Sequence, residues 1–162
     1  MTAMNPDKDI IIDILKNLRL FRDLNYNAIK ELTFLFSERV FQAGETIFEE
    51  NDAGNSLLVI ISGEVRITQR ANVSGEETLT VLKKGDFFGE MALLEDLPRS
   101  ATAIANSDTL ILEIGSEKFL HFLHKDPASG VKILITLARI LSARLREADS
   151  KIKAFVNLSQ WI

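Results

Sequence analysis

The chain has 162 residues, 46% hydrophobic and 26% charged, enough to bury one proper core and typical of a globular protein. A formal net charge of −4 excludes a general nucleic-acid binder, and the absence of cysteine excludes disulfides, iron–sulfur clusters and thiol catalysis. The amino terminus lacks the layout of a signal peptide and no apolar run is long enough to span a bilayer, so a cytoplasmic protein without membrane contact is expected.

From about residue 7 to 36 the pattern is helical. Ile10, Ile11, Ile14, Leu15 and Leu18 recur at three- and four-residue spacing, and Leu20-Phe21 end the segment. After an Asn25-Tyr26-Asn27 break, Ile29, Leu32, Leu35 and Phe36 repeat the spacing in a second helix.

From about Arg39 to Ile114 short apolar runs alternate with turn signals. Strands are predicted at Arg39–Phe41, Thr46–Phe48, Leu57–Ile61, Val65–Thr68, Thr78–Leu82, Ala101–Ala105 and Thr109–Ile114. Many short strands with regular punctuation indicate a β-sandwich or jelly roll. Gly44, Gly54 and Gly63 read as turn formers, the Leu57–Ile61 run as core, and Val73, Leu79 and Val81 as core packing before ligand contact.

One helical pattern interrupts the strands. Gly85-Asp86-Phe87-Phe88-Gly89 leads into Glu90-Met91-Ala92-Leu93-Leu94, a run of good helix formers, and Pro98 stops the turn before Arg99 and Ser100. The first N–H groups of a helix lack intrahelical partners and favour an anion, and an arginine such as Arg99 is able to grip phosphate oxygens bidentately. The segment suits a ligand with a sugar hydroxyl at one end and a phosphate at the other. An ordinary surface ion pair between Glu90 and Arg99 is the plainer alternative.

The motifs Phe-Gly-Glu-Met-Ala-Leu-Leu and Pro-Arg-Ser-Ala-Thr, with Arg99 nine residues after Glu90, resemble the phosphate-binding cassette of cyclic-nucleotide-binding domains. Such domains occur in the catabolite activator protein family, in regulatory subunits of cAMP-dependent protein kinase and in cyclic-nucleotide-gated channels. The resemblance implies that Glu90 binds the ribose 2′-hydroxyl and Arg99 the cyclic phosphate, with Gly89, Met91, Ala92 and Ser100 lining the same pocket. It also implies a fold that is mainly β with flanking helices: one domain over 1–162, with helices at 7–36, a β-jelly roll at 39–114 holding the cassette at 85–101, and helices at 116–158. The run Leu18–Leu24 is similar to the family's lead-in to the barrel.

Beyond the roll, Ser116 is expected to cap a short helix through His124, and Asp126-Pro127 to start a long one. There Val131, Leu134, Ala138, Leu141, Leu145, Ala148, Ile152 and Phe155 follow steps of three and four, a heptad seam. A second row, Ile133, Leu137 and Ile140, flanks the seam early and gives way to Arg144, Glu147 and Lys151. The apolar face is wide enough at first to cover the barrel and a partner, then narrows to a seam that another helix buries. A parallel homodimer through Leu134, Leu141, Leu145 and Ile152 is expected, against the alternative of a helix folded back on its own barrel.

In the resembled family this helix covers the bound base and reports occupancy. That places Arg144 near the purine, as a base contact or as solvated charge. The hydroxyl side chains with which catabolite activators read adenine are absent at Arg144-Leu145, so cAMP and cGMP both remain open. The chain ends soon after the helix, and its Arg and Lys residues there alternate with acids, so direct DNA binding is not expected. Catalysis lacks support: His121 and His124 have no third ligand beside them for a metal, and no catalytic motif is present. A haem sensor would need an axial histidine in the barrel.

Three classes follow. The leading one is a cyclic-nucleotide (cAMP or cGMP) sensor that signals through its C-terminal helix to an unknown downstream protein. The second is an interaction scaffold that keeps the fold without the nucleotide. The third is a cyclic-nucleotide hydrolase, for which neither a metal cluster nor a positioned base is evident.

Overall fold

The computed structural model describes residues 8–71, 75–95 and 97–159. Two helices, α1 (Lys8–Asn17) and α2 (Tyr26–Leu35), precede eight strands: β1 (Ser37–Phe41), β2 (Thr46–Phe48), β3 (Ser56–Ser62), β4 (Glu64–Ala71), β5 (Gly75–Lys83), β6 (Phe87–Phe88), β7 (Thr102–Ala105) and β8 (Thr109–Gly115). A one-turn helix α3 (Met91–Leu94) lies between β6 and β7, and α4 (Ser116–Lys125) and α5 (Pro127–Ser159) follow the last strand. Among the described residues no helix is long and apolar enough to cross a membrane.

The strands form two four-stranded sheets in the orders β1-β8-β3-β6 and β2-β7-β4-β5, every pairing antiparallel. The hydrophobic run of β3 is divided between two cores by the period of the strand. Leu58 and Ile60 face the interior of the roll with Val65, Phe88, Ala103 and Ile111. Leu57, Val59 and Ile61 face outward, where the helices cover them with Leu15, Phe21, Leu32, Phe119, Phe122, Ile133 and Leu137. A strand buried on both faces reads as a continuous apolar stretch, as Leu57–Ile61 does.

The helical segments begin and end for local reasons. Asn25 caps α2 by accepting from the Ala28 N–H at 2.9 Å, which explains the break between the first two helices. Residues 18–24 form successive turns that bury Leu18, Leu20, Phe21 and Leu24. Asp126 accepts from the Ser129 N–H at 3.2 Å ahead of Pro127, the expected start of α5. Hydrogen bonding to Ser129 holds its carboxyl below the ordinary range.

Four expectations change. Ser116 does not cap α4: Gly115 occupies the cap in extended conformation without a side-chain bond, and Ser116 is the first helical residue. Strand β6 was not anticipated, because two phenylalanines are too short a run to show a period. Leu79 and Val81 are exposed, not core, because β5 is an edge strand whose residues lie largely in solvent. Gly54, read as a turn former, instead packs against the Arg99 side chain, where a Cβ would fall 2.2 Å from Nε. Val73, the third residue expected in the core, and Asp7, the expected helix start, lie outside the described residues.

Candidate functional site

The site is built where β6 hands over to α3. Gly89 has φ +80°, and a Cβ there would come 2.6 Å from Arg99 Nη1 and 2.7 Å from the Ser56 carbonyl. Both the backbone conformation and the available space demand glycine. Glu90 follows in the cap position of α3 but makes no capping bond, which leaves its carboxylate to other partners. The Ala92 N–H donates to Gly89 O at 3.2 Å and the Leu93 N–H to Glu90 O at 3.1 Å. The tight turn therefore uses two amides that a longer helix would leave unpaired, contrary to the expectation of a row of unpaired donors.

Arg99 is only 8% exposed and Glu90 only 5%. The Arg99 backbone is clamped by the preceding loop: its N–H donates to Asp52 O at 2.8 Å, and its carbonyl accepts from Asn51 N–H at 2.9 Å. Asn51 adopts φ +72°, a left-handed conformation that asparagine tolerates better than most residues. The guanidinium donates through Nη1 to Ser56 O at 3.1 Å and through Nη2 to Ser56 Oγ at 2.9 Å. It lies 4.2 Å from the centroid of the Phe48 ring. A Cβ on Gly54 would fall 2.2 Å from Arg99 Nε, so Gly54 is there to let the arginine pass. Burial pushes the Arg99 guanidinium below its usual value, while Glu113 and Asp52 raise it again. Among the described residues no carboxylate forms an ion pair with it.

A cavity of about 560 Å³ opens beside these groups. Gly89, Glu90, Met91, Ala92, Arg99, Ser100 and Arg144 all line it, so the structure brings every residue singled out from the sequence to one place. Leu79, Thr80 and Leu82 of β5 form part of the wall, and Arg144, Glu147, Ala148 and Lys151 bring α5 across it. Arg144 donates from Nη1 to Glu90 Oε1, tying α5 to the cassette, and its guanidinium stands 5.8 Å from the Phe87 ring centroid. Neither alternative drawn for Arg144, base contact or free solvated charge, anticipated that pairing.

Phe48, Gly54, Ser56 and Glu113 were missed from the sequence. Phe48, Gly54 and Ser56 lie on a strand or loop more than 40 residues from Arg99, Glu113 lies two strands on, and none carries a local motif. Among the described residues no cluster of three metal-ligating side chains occurs, and His121 and His124 are exposed on α4.

A family model described as the cyclic nucleotide-binding domain matches residues 38–126. The cyclic AMP receptor protein of Thermus thermophilus is 36% identical over 136 residues, covering 83% of this chain and 61% of that relative. A cAMP-dependent protein kinase regulatory subunit of Hypocrea atroviridis is 43% identical over 91 residues, which is 56% of this chain and 18% of that protein. The solved cyclic nucleotide-binding domain from Methylobacillus flagellatus superposes with a TM-score of 0.77 at 28% identity, over 90% of this chain and 82% of that one. The chain thus spans under two thirds of the length of the bacterial regulator it matches. Two antiparallel sheets closed into a roll, helices at both ends and these matches together establish that the chain belongs to the cyclic nucleotide-binding domain family, which is regulatory and not catalytic.

Proposed function

We propose that the chain, as a single domain, binds a 3′,5′-cyclic nucleotide, cAMP or cGMP, in the cavity and reports its occupancy through α5. The observation that carries this reading is a single cavity lined by both a buried carboxylate, Glu90, and a buried guanidinium, Arg99. Its 560 Å³ lies within the range of small-molecule sites. In this reading Arg99 takes the phosphate, Glu90 accepts from the ribose 2′-hydroxyl, and Gly89, Met91, Ala92 and Ser100 line the sugar-phosphate. Arg144 couples the cassette to α5, since ligand at Glu90 acts on a carboxylate that the helix already holds. Occupancy then biases two positions of α5 by differential affinity.

The exposed row Leu134, Leu145 and Ile152, with Leu141 half-buried beside it, supports pairing of α5 with a second copy, and an unidentified downstream protein then reads the helix. The cytoplasm is the proposed compartment.

The test is a melting screen with cAMP and cGMP. At about 100 times Kd a ligand adds about 2.7 kcal/mol, a rise of about 5–10 °C for a domain of this size. Arg99→Ala is expected to abolish most of the shift, each charge-assisted hydrogen bond to phosphate being worth about 1.5–3 kcal/mol. One observation favours the second reading, a scaffold without ligand: Arg99 already has two acceptors on Ser56, and Glu90 already has Arg144. Absence of any shift with either nucleotide would select it.

A further inference from the structure

We infer that Ser56 is a positioning residue for Arg99: its hydroxyl, turned by Glu113, holds the guanidinium without neutralising it, so its charge stays available to an anion in the cavity. The inference rests on reading that cavity as an anion-binding site.

A serine hydroxyl has one proton and two lone pairs. At Ser56 the proton is committed to Glu113 Oε1, 2.6 Å away. The oxygen is thereby left to accept, and it accepts from Arg99 Nη2 at 2.9 Å. The two bonds run in one direction, from Arg99 to Ser56 to Glu113. The Ser56 carbonyl takes a second N–H from Nη1 at 3.1 Å, so one residue grips both terminal nitrogens. Arg99 has five N–H donors in all, and this grip takes two of them. Phe48 covers one face of the guanidinium, and the missing side chain of Gly54 makes room behind it.

The far end of the relay is also fixed. Glu113 Oε2 accepts from Arg39 Nη1 of β1 at 3.1 Å, so the carboxylate is held between a partly exposed arginine and Ser56. Had Glu113 touched Arg99 directly, the pair would be close to neutral and a singly charged phosphate would have to compete with the carboxylate. With a hydroxyl between them, Glu113 offsets part of the cost of burying the guanidinium from a distance.

Two measurements test this on the whole chain. Calorimetric titration with cAMP and cGMP compares wild type, Ser56→Ala and Ser56→Thr. Ser56→Ala is expected to weaken binding about tenfold, the equivalent of one net hydrogen bond, and Ser56→Thr, which keeps the hydroxyl, to recover most of that loss. Nitrogen-15 NMR of the Arg99 guanidinium in the unliganded protein supplies a readout that a purely structural role would not move. Restricted side-chain rotation is expected in wild type and Ser56→Thr, and faster rotation in Ser56→Ala. Should Ser56→Ala fail to fold, Glu113→Gln replaces it: removing the charge that orients the hydroxyl is expected to loosen the guanidinium and weaken binding, though less. An Arg99 signal as restrained in Ser56→Ala, or in Glu113→Gln where that variant replaces it, as in wild type overturns the proposal, as does unchanged affinity in that variant. If wild type binds neither nucleotide, the reading of the cavity fails instead, and the NMR comparison alone decides whether Ser56 positions Arg99.

Discussion

Over its first fourteen residues α5 lays Ile133, Leu137 and Ile140 into the helical core, whereas from Ser142 to Ser159 every residue of the same helix is exposed. Apolar side chains are not lacking in the outer part, which carries Leu145, Ile152, Phe155, Val156 and Leu158. What differs is a partner to bury them. The inner part is anchored by the apolar area it removes from water. Among the described residues nothing buries the outer part in this way. Arg144 stands at the junction, bonded to Glu90 of the cassette. A buried inner arm, an exposed outer arm and a polar contact to the cavity between them fit the proposed role of a helix that reports occupancy.

The contrast is most severely tested at the inner arm. Leu137→Ala is expected to cost about 2–5 kcal/mol, the range for a fully buried leucine, and to lower the melting temperature by about 5–20 °C. A loss no larger than that of an exposed site would mean that the inner half is not anchored. Next in size, Arg144→Ala removes the partner of a buried carboxylate. The expected cost is about 1–2 kcal/mol in urea denaturation, less than for an enclosed pair because Arg144 is half-exposed. A variant as stable as wild type would show that the contact does not tie helix to cassette.

At the outer arm, Leu145→Asp combined with Ile152→Asp should change monomer stability by no more than about 0.5 kcal/mol, the usual range for surface sites. Its effect falls on mass: sedimentation should find wild type at twice the mass of the variant, and an equal mass would sink the paired helix. The smallest effect is at the start of α5. Bonding to Ser129 lowers the Asp126 pKa, so its contribution is complete above the unfolded value of about 3.9 and is lost as pH falls through the folded one. Asp126→Ala should therefore melt below wild type at neutral pH, with the difference closing in acid.

Some of this was readable along the chain and some was not, for identifiable reasons. The strand at Thr46–Phe48, most of the one at Thr109–Gly115 and the start of α5 follow from short apolar runs bounded by turn residues and from the Asp126-Pro127 pair. The flanking rows of α5 were legible because helical period sorts side chains by face, and burial of Ile133, Leu137 and Ile140 follows that sorting. Edge position was not legible: Leu79 and Val81 read as core but are exposed on an edge strand, since alternation says which side chains share a face and not whether a neighbour exists.

At the site, the motif around Gly89, Glu90 and Arg99, with its resemblance to a known phosphate-binding cassette, was enough to name residues that line one cavity. Only the tertiary structure decided what those residues touch. Ser56 is 43 residues from Arg99 and Arg144 is 54 from Glu90, and contacts over such distances depend on how sheets and helices pack, which no local pattern encodes.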